Sequence, residues 1–136
     1  MKMEAEIPER MIAPCGMNCM VCYVHLKKKK PCPGCRQQDD ATPEHCRKCK
    51  IKDCAFEKGV DLCIECISFP CSVIKRLDKS YQKRYRVSLV ENAARIKAVG
   101  AKQFLYEEKE KWTCPVCNGV ISLHDRVCSE CGKGVC

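Results

Sequence analysis

Cysteine constrains this chain more than any other residue, because sixteen of its 136 positions carry a thiol. That share is about 12%, and a content above roughly 8–10% marks a scaffold that depends on thiol chemistry. The ordinary core is thin, since Leu, Ile, Val and Phe together make up about a fifth of the residues. Apolar burial is therefore insufficient, and either disulfides or metal ions must stabilise the fold.

The choice between disulfides and metal depends on the redox compartment. The first ten residues are charged and lack the apolar segment of a secretory signal. No stretch approaches the roughly 20 apolar residues of a membrane helix. We therefore expect a cytoplasmic protein with no membrane contact, in which reduced thiols serve as metal ligands. Disulfides remain the alternative for a chain that is secreted without a leader.

The thiols are organised into C-x2-C pairs, a spacing that is typical of metal sites. The turn between two such cysteines directs both sulfurs at one ion and lets backbone N–H groups donate to them. A longer pattern, C-x2-C-x4-C, occurs twice, at residues 46–54 and 63–71. The pairs are 19/22, 32/35, 46/49, 63/66, 114/117 and 128/131.

Composition divides the chain into three segments. Residues 1–72 hold eleven cysteines, and we interpret them as a Cys-rich metal-binding module of loops and short helices. Residues 73–112 hold no cysteine and are predicted to form a helical connector. Residues 113–136 hold the last five cysteines and are predicted to form a zinc-ribbon finger. The expected fold class is a small metal-stabilised α+β protein with these three domains.

The connector shows helical periodicity with recognisable ends. Ser72 is the predicted N-cap of a first helix, and Ser88 that of a second helix with an apolar face. Gly100 is the predicted stop of the second helix, because glycine tolerates the left-handed conformation that ends many helices. A third helix is expected over residues 102–111.

The C-terminal finger has the spacing C-x2-C-x10-C-x2-C. It brackets a short strand, 120–123, that we expect to pair with residues near Val127. Trp112 is expected to cover the apolar side of the finger, and His124 to be a loop residue rather than a ligand. Four thiolates favour structural Zn²⁺, with a single iron ion as the alternative. The predicted ligands are Cys114, Cys117, Cys128 and Cys131.

The metal of the N-terminal module is left open between zinc and an iron–sulfur cluster. Its thiols exceed two four-cysteine sites, so His25 or His45 is a candidate fourth ligand. Cys46 is a further candidate, whereas Cys136 is not expected to bind metal. The remaining candidate ligands, whose grouping the sequence does not fix, are Cys15, Cys19, Cys22, Cys32, Cys35, Cys49, Cys54, Cys63, Cys66 and Cys71.

A basic stretch in the connector is a candidate nucleic-acid contact, because Tyr81 and Tyr85 are interleaved with its charges and aromatic rings stack on bases. The alternative is a helix with buried tyrosines and solvated charges. The net charge of +8 is weak support for nucleic acid, since three thiolate sites of charge −2 would lower it to about +2. The basic residues are Lys75, Arg76, Lys79, Lys83, Arg84 and Arg86.

The arrangement of these motifs resembles the DUF3795 family, a Cys-rich family of archaea and anaerobic bacteria without an assigned activity. The resemblance covers roughly residues 13–132 and implies metal binding in a cytoplasm. Cys46 and Cys136 lie outside the pattern. The matching positions are Ala13-Pro14-Cys15-Gly16, Cys19, Cys22, Cys32, Gly34-Cys35, Cys49, Cys54-Ala55, Lys58-Gly59-Val60, Cys63, Cys66, Phe69-Pro70-Cys71, Glu91-Asn92, Ile96-Lys97, Gly100, Phe104-Leu105 and Trp112.

The sequence favours a non-enzymatic binding or adaptor module with structural zinc and a protein partner. We identify no catalytic residues and no small-molecule substrate in it. One alternative is an iron–sulfur electron carrier or accessory subunit of a redox enzyme. Further alternatives are an RNA- or DNA-binding zinc protein and a metal-trafficking or redox-sensing protein.

Overall fold

The structure is a computed structural model that describes residues 1–29, 31–36 and 49–134. Three short 3-10 helices and five α-helices make up most of the regular structure in this part of the chain. The 3-10 helices are Glu9–Met11, Cys19–Val21 and Cys63–Glu65. The α-helices are α1 (Tyr23–Leu26), α2 (Lys50–Glu57), α3 (Ser72–Tyr85), α4 (Leu89–Val99) and α5 (Ala101–Trp112).

Helix α3 begins one residue earlier than the sequence suggested, since Cys71 is its N-cap and Ser72 its first helical residue. The C-cap of α3 is Arg86, whose backbone is left-handed with a φ of 58°. Buried Asp78 accepts hydrogen bonds from the Ser88 hydroxyl at 2.9 Å and the Val90 N–H at 3.1 Å. This carboxylate therefore fixes the turn between α3 and α4.

The predicted ends of α4 are confirmed. The Ser88 hydroxyl accepts the Glu91 N–H at 3.1 Å, as an N-cap does. Gly100 terminates the helix with φ of 89°, a conformation that favours glycine. Helix α5 follows directly and extends one residue beyond the predicted range at each end.

The β-structure of the described residues consists of isolated bridges and not of extended strands. The expected pairing near residue 127 is present, since the Ser122 N–H donates to the Val127 carbonyl at 2.9 Å. Residues 1–3 add an edge through the bridge between Lys2 and Gly119. The described protein is thus small and helix-rich with a C-terminal cysteine cluster, and the α+β class is not confirmed.

One apolar core joins the three compositional segments. Met20 and Val21 from the first segment pack with Leu89 and Phe104 from the helices and with Leu123 from the finger. The Leu123 N–H also donates to the Val21 carbonyl at 3.0 Å. The cysteine-bearing loops are therefore attached to a shared core, while the independent folding of three domains stays a prediction.

None of the helices in the described ranges has the length and apolar character needed to cross a bilayer.

Candidate metal centre

Four cysteines after α5 converge on a single point, and we call them the C-terminal thiol site. Their Sγ atoms all lie within 4.8 Å of one another. The Cys114 and Cys131 sulfurs are 3.8 Å apart, and those of Cys117 and Cys128 are 3.5 Å apart. Tetrahedral ligands at about 2.3 Å from an ion stand about 3.8 Å apart, so this group has the dimensions of a mononuclear site.

Two tight turns hold these sulfurs in place. The Asn118 N–H donates to the Cys114 carbonyl at 3.0 Å, and the Gly132 N–H donates to the Cys128 carbonyl at 3.0 Å. Gly119 lies directly against the site, since a Cβ added there would be 2.8 Å from the Cys128 Sγ. Only glycine therefore allows the two turns to approach this closely.

The backbone around the C-terminal thiol site favours thiolates. Burial opposes ionisation of Cys128, but N–H groups of Cys131 and Glu130 outweigh it and lower its pKa to about 6. The N–H groups of Cys117 and Val116 lower the pKa of Cys114. Burial raises the pKa of Cys117 to about 11. The backbone therefore favours the thiolate at Cys128 and Cys114, and a bound cation would draw the proton from Cys117.

A second set, the Cys54–Cys71 group, consists of Cys54, Cys63, Cys66 and Cys71. All four line one small cavity of about 30 Å³ together with Lys58. The Lys58 Nζ donates to the Cys66 Sγ at 3.4 Å. A backbone N–H at Ser68, aided by Lys58, lowers the pKa of Cys66, whereas burial and neighbouring thiolates raise that of Cys63 to about 11.

A third set, the N-terminal thiol group, consists of the six other cysteines that the structure describes. The Cys35 N–H donates to the Cys19 Sγ at 3.4 Å. A side-chain hydrogen bond with Cys19, together with burial, raises the pKa of the Cys35 thiol. Burial raises the pKa of Cys15 to about 12, with further contributions from the charges of Cys35, Cys49 and Cys63. A bound cation would offset the burial that raises the pKa of Cys15 and Cys35. The members are Cys15, Cys19, Cys22, Cys32, Cys35 and Cys49.

The C-terminal thiol site differs from both other groups in the distances between its sulfur atoms. Within residues 1–29, 31–36 and 49–134, no further set of three cysteine, histidine or carboxylate ligands lies within 4.8 Å of one another. The structure brings together the four C-terminal cysteines that the sequence predicted as one set, and their role as metal ligands stays a prediction. The other ten predicted ligands fall into two looser groups. Cys46, His45 and Cys136 lie outside the described residues.

The two described histidines have partners other than metal. His25 Nδ1 donates to the Cys32 carbonyl, since a carbonyl can only accept. His124 Nε2 is 3.1 Å from the Tyr81 hydroxyl, and its ring contacts Tyr23 and Tyr85 with centroids 5.0 and 4.7 Å away. The expectation that His124 is a loop residue agrees with these contacts.

The basic residues predicted to bind nucleic acid are all exposed on α3 and at its end. Tyr81 and Tyr85, however, pack edge-on against each other and against His124. Their rings are engaged in this contact and are not a free stacking platform. Nucleic-acid binding by Lys75, Arg76, Lys79, Lys83, Arg84 and Arg86 stays a prediction.

Sequence analysis did not assign a role to Lys58 or Gly119. Lys58 is one of the positions that carry the family resemblance. It follows Cys54 by four residues at the end of one helix, and this spacing could have indicated a lysine near the thiols. Gly119 follows the second cysteine of a C-x2-C turn by two positions, which marks a close approach of backbone to metal ligands. Both residues contact thiols, so they belong to the candidate sites.

Comparison with known proteins supports the resemblance over part of the chain. The family model described as "Protein of unknown function (DUF3795)" matches residues 11–76. No curated protein and no solved structure matches the chain significantly. The matched segment contains the N-terminal thiol group and the Cys54–Cys71 group, and it ends within α3. Residues 11–76 of this chain therefore match the DUF3795 family model, and the C-terminal cysteine cluster lies outside the matched segment.

Proposed function

We propose that this protein is a non-enzymatic, cytoplasmic metal-binding adaptor whose C-terminal thiol site holds structural zinc. One observation carries the proposal, namely the mutual approach of four sulfurs to within 4.8 Å. Zinc suits four thiolates because it is tetrahedral, redox-inert and bound in closed sites without an open coordination position. In this role the ion stabilises the fold and performs no chemistry.

The packing around the site supports a structural role for the ion. Cys114 and Cys128 are 2% exposed and belong to the shared apolar core. Trp112 lies in the same core. The Ile121 N–H donates to the backbone carbonyl of Trp112 at 2.9 Å. Four thiolates would fill the tetrahedral shell of the ion and leave no open position for a substrate, while the two buried cysteines link the ion to the core.

Zinc analysis of the full chain tests the proposal. We expect zinc in the anaerobically purified protein, and we expect Cys131→Ala to lose about one equivalent, as one closed site requires. The matched control is Val116→Ala, because Val116 lies between two of the cysteines and is 62% exposed. Substitution with Co²⁺ should give the visible absorption of a tetrahedral thiolate site. Equal zinc content in Cys131→Ala and the parent chain would contradict the proposal.

The proposed adaptor role requires a protein partner. Exposed apolar side chains are candidate contacts for such a partner. Phe56 is 86% exposed and Ile67 is fully exposed, although large apolar groups are costly to leave in water. The double variant Phe56→Asp, Ile67→Asp should keep its zinc and its melting temperature but lose crosslinks to a specific protein. Val116→Asp is the control. Unchanged crosslinks would argue against this surface.

A further inference from the structure

We propose that the Cys54–Cys71 group forms a second thiolate centre that binds an iron–sulfur cluster, with Lys58 donating a hydrogen bond to one of its thiolates. This inference rests on the proposed metal-binding function but concerns a different site. It also names a different ligand class from the zinc of the C-terminal thiol site.

Three separate elements bring the four sulfurs to one cavity. Cys54 lies in the last turn of α2, and Cys71 is the N-cap of α3. Cys63 and Cys66 bracket a 3-10 turn that is closed by the Cys66 N–H donating to the Cys63 carbonyl at 2.9 Å. The Cys63 N–H donates to the Pro14 carbonyl at 2.7 Å, which ties this turn to the rest of the module. The cavity is therefore built by the fold and not by one flexible loop.

The spacing of these sulfurs favours a cluster over a single ion. One tetrahedral zinc requires thiolates about 3.8 Å apart, as in the C-terminal thiol site. No three sulfurs of the Cys54–Cys71 group, all of which are described, lie within 4.8 Å of one another. A cubane core attaches each thiolate to a different iron atom at a different corner, so its ligands stand farther apart.

The charges and the surroundings of the group also suit a cluster. A [4Fe–4S]²⁺ core with four thiolates carries a charge of −2, and the Lys58 ammonium 3.4 Å from the Cys66 Sγ offsets part of it. The N-terminus of α3 next to Cys71 adds partial positive charge. Ala55 and Ile74 line the cavity and are 3% and 1% exposed, so the inner wall of the cavity is apolar and buried.

Iron and sulfide analysis of the intact chain tests the site. The protein is reconstituted anaerobically with ferric iron, sulfide and dithiothreitol, which reduces half of the iron as a [4Fe–4S]²⁺ core requires. Visible absorption, iron and acid-labile sulfide are then measured. We expect Cys66→Ala and Cys71→Ala each to lose about four iron and four sulfide per chain relative to the parent, as one cubane requires. Cys131→Ala is the matched control and should lose zinc while retaining the chromophore.

Several outcomes would overturn the inference. A parent chain without sulfide, or a Cys66→Ala variant with unchanged iron, excludes a cluster at this group. A colourless parent whose zinc content falls in Cys66→Ala also overturns it, because the group would then bind zinc. The zinc loss in Cys131→Ala is measured in the same samples, so failure of the proposed function is recognised separately.

Lys58 allows a test that removes no ligand. Lys58→Met should shift the midpoint potential of the cluster to more negative values in a dithionite titration followed by electron paramagnetic resonance. The reason is that loss of a positive hydrogen-bond donor disfavours the added electron. The iron content of each sample is measured so that potentials are compared per bound cluster. Lys97→Met, an exposed position on α4, is the control. A potential equal to that of the parent would remove Lys58 from the site.

Discussion

The C-terminal thiol site and the Cys54–Cys71 group share the C-x2-C turn but place their sulfurs at different separations. In the first, two such turns face each other with Gly119 between them, and the four sulfurs lie within 4.8 Å. In the second, one turn faces two cysteines that are carried by helix ends. A C-x2-C turn therefore fixes two ligands only, and the elements that carry the other two decide how large a metal centre fits.

The largest expected difference between the two groups concerns stability. Cys128→Ala should unfold the C-terminal region and strongly lower the melting temperature, because a structural zinc contributes about 10–16 kcal/mol to folding. Cys66→Ala should have a smaller effect, since Cys114 and Cys128 belong to the apolar core and the described core includes no member of the Cys54–Cys71 group. Thermal melting by circular dichroism under anaerobic, reducing conditions measures both. Equal losses of stability would contradict the comparison.

A second prediction concerns the close approach that distinguishes the C-terminal thiol site. Gly119→Ala should weaken zinc binding by about 10–100-fold, because the added Cβ meets the Cys128 Sγ at 2.8 Å and displaces a ligand. Gly134→Ala is the matched control, since a Cβ there meets no atom within 4 Å. Competition with a chromophoric chelator gives the affinities. An unchanged affinity in Gly119→Ala would show that the turn relaxes without cost.

A smaller effect is expected where the finger meets α3. Burial, with a contribution from Arg84, lowers the pKa of His124 below its ordinary value of 6.5. The unfolded chain then binds the proton more tightly than the folded one, so stability is complete above pH 6.5 and decreases as the pH falls below it. His124→Phe should remove this dependence between pH 7.5 and 6. Proton NMR measures the pKa directly, and a value at or above 6.5 would contradict the prediction.

The smallest effect is expected for the ion pair between α4 and α5. Arg95 hydrogen-bonds to Glu107 at 2.6 Å and lowers the pKa of that carboxyl to about 2. The pair stabilises the fold above pH 4.5, and this stabilisation is lost as the pH falls towards 2. Arg95→Ala should return the Glu107 pKa towards 4.5 in an NMR titration and hardly change the melting temperature, because the pair is exposed. Lys97→Ala is the control and should leave the Glu107 pKa unchanged.

Local patterns predicted the parts of the fold that depend on neighbouring residues. The Ser88 cap and the Gly100 stop follow from side-chain hydrogen bonding and backbone freedom, which act within a few positions. The two C-terminal cysteine pairs were predicted for the same reason, because each C-x2-C turn is a local structure, and the structure brings the two pairs together. The α+β class was not confirmed, since the sequence indicated strands where the described residues form single bridges.

Contacts between distant residues could not be predicted from spacing. The division of ten cysteines into two groups depends on how α2 and α3 approach the loops between them, and no periodicity encodes that approach. The same holds for His124, which contacts a tyrosine 43 positions away. Lys58 was visible as a motif residue, but its donation to Cys66 depends on the helix end that carries it.

The pairing of residues 1–3 with the finger has a consequence for synthesis. The Val120 N–H donates to the Met1 carbonyl at 2.8 Å, and the Met3 N–H donates to the Asn118 carbonyl at 3.0 Å. Lys2 also donates to the Cys117 carbonyl, across 115 positions of sequence. Residues 1–3 can therefore complete this pairing only after the finger, 115 positions further along the sequence, has been translated. Because the loop between these partners is so long, we expect this edge to form later than contacts between sequence neighbours.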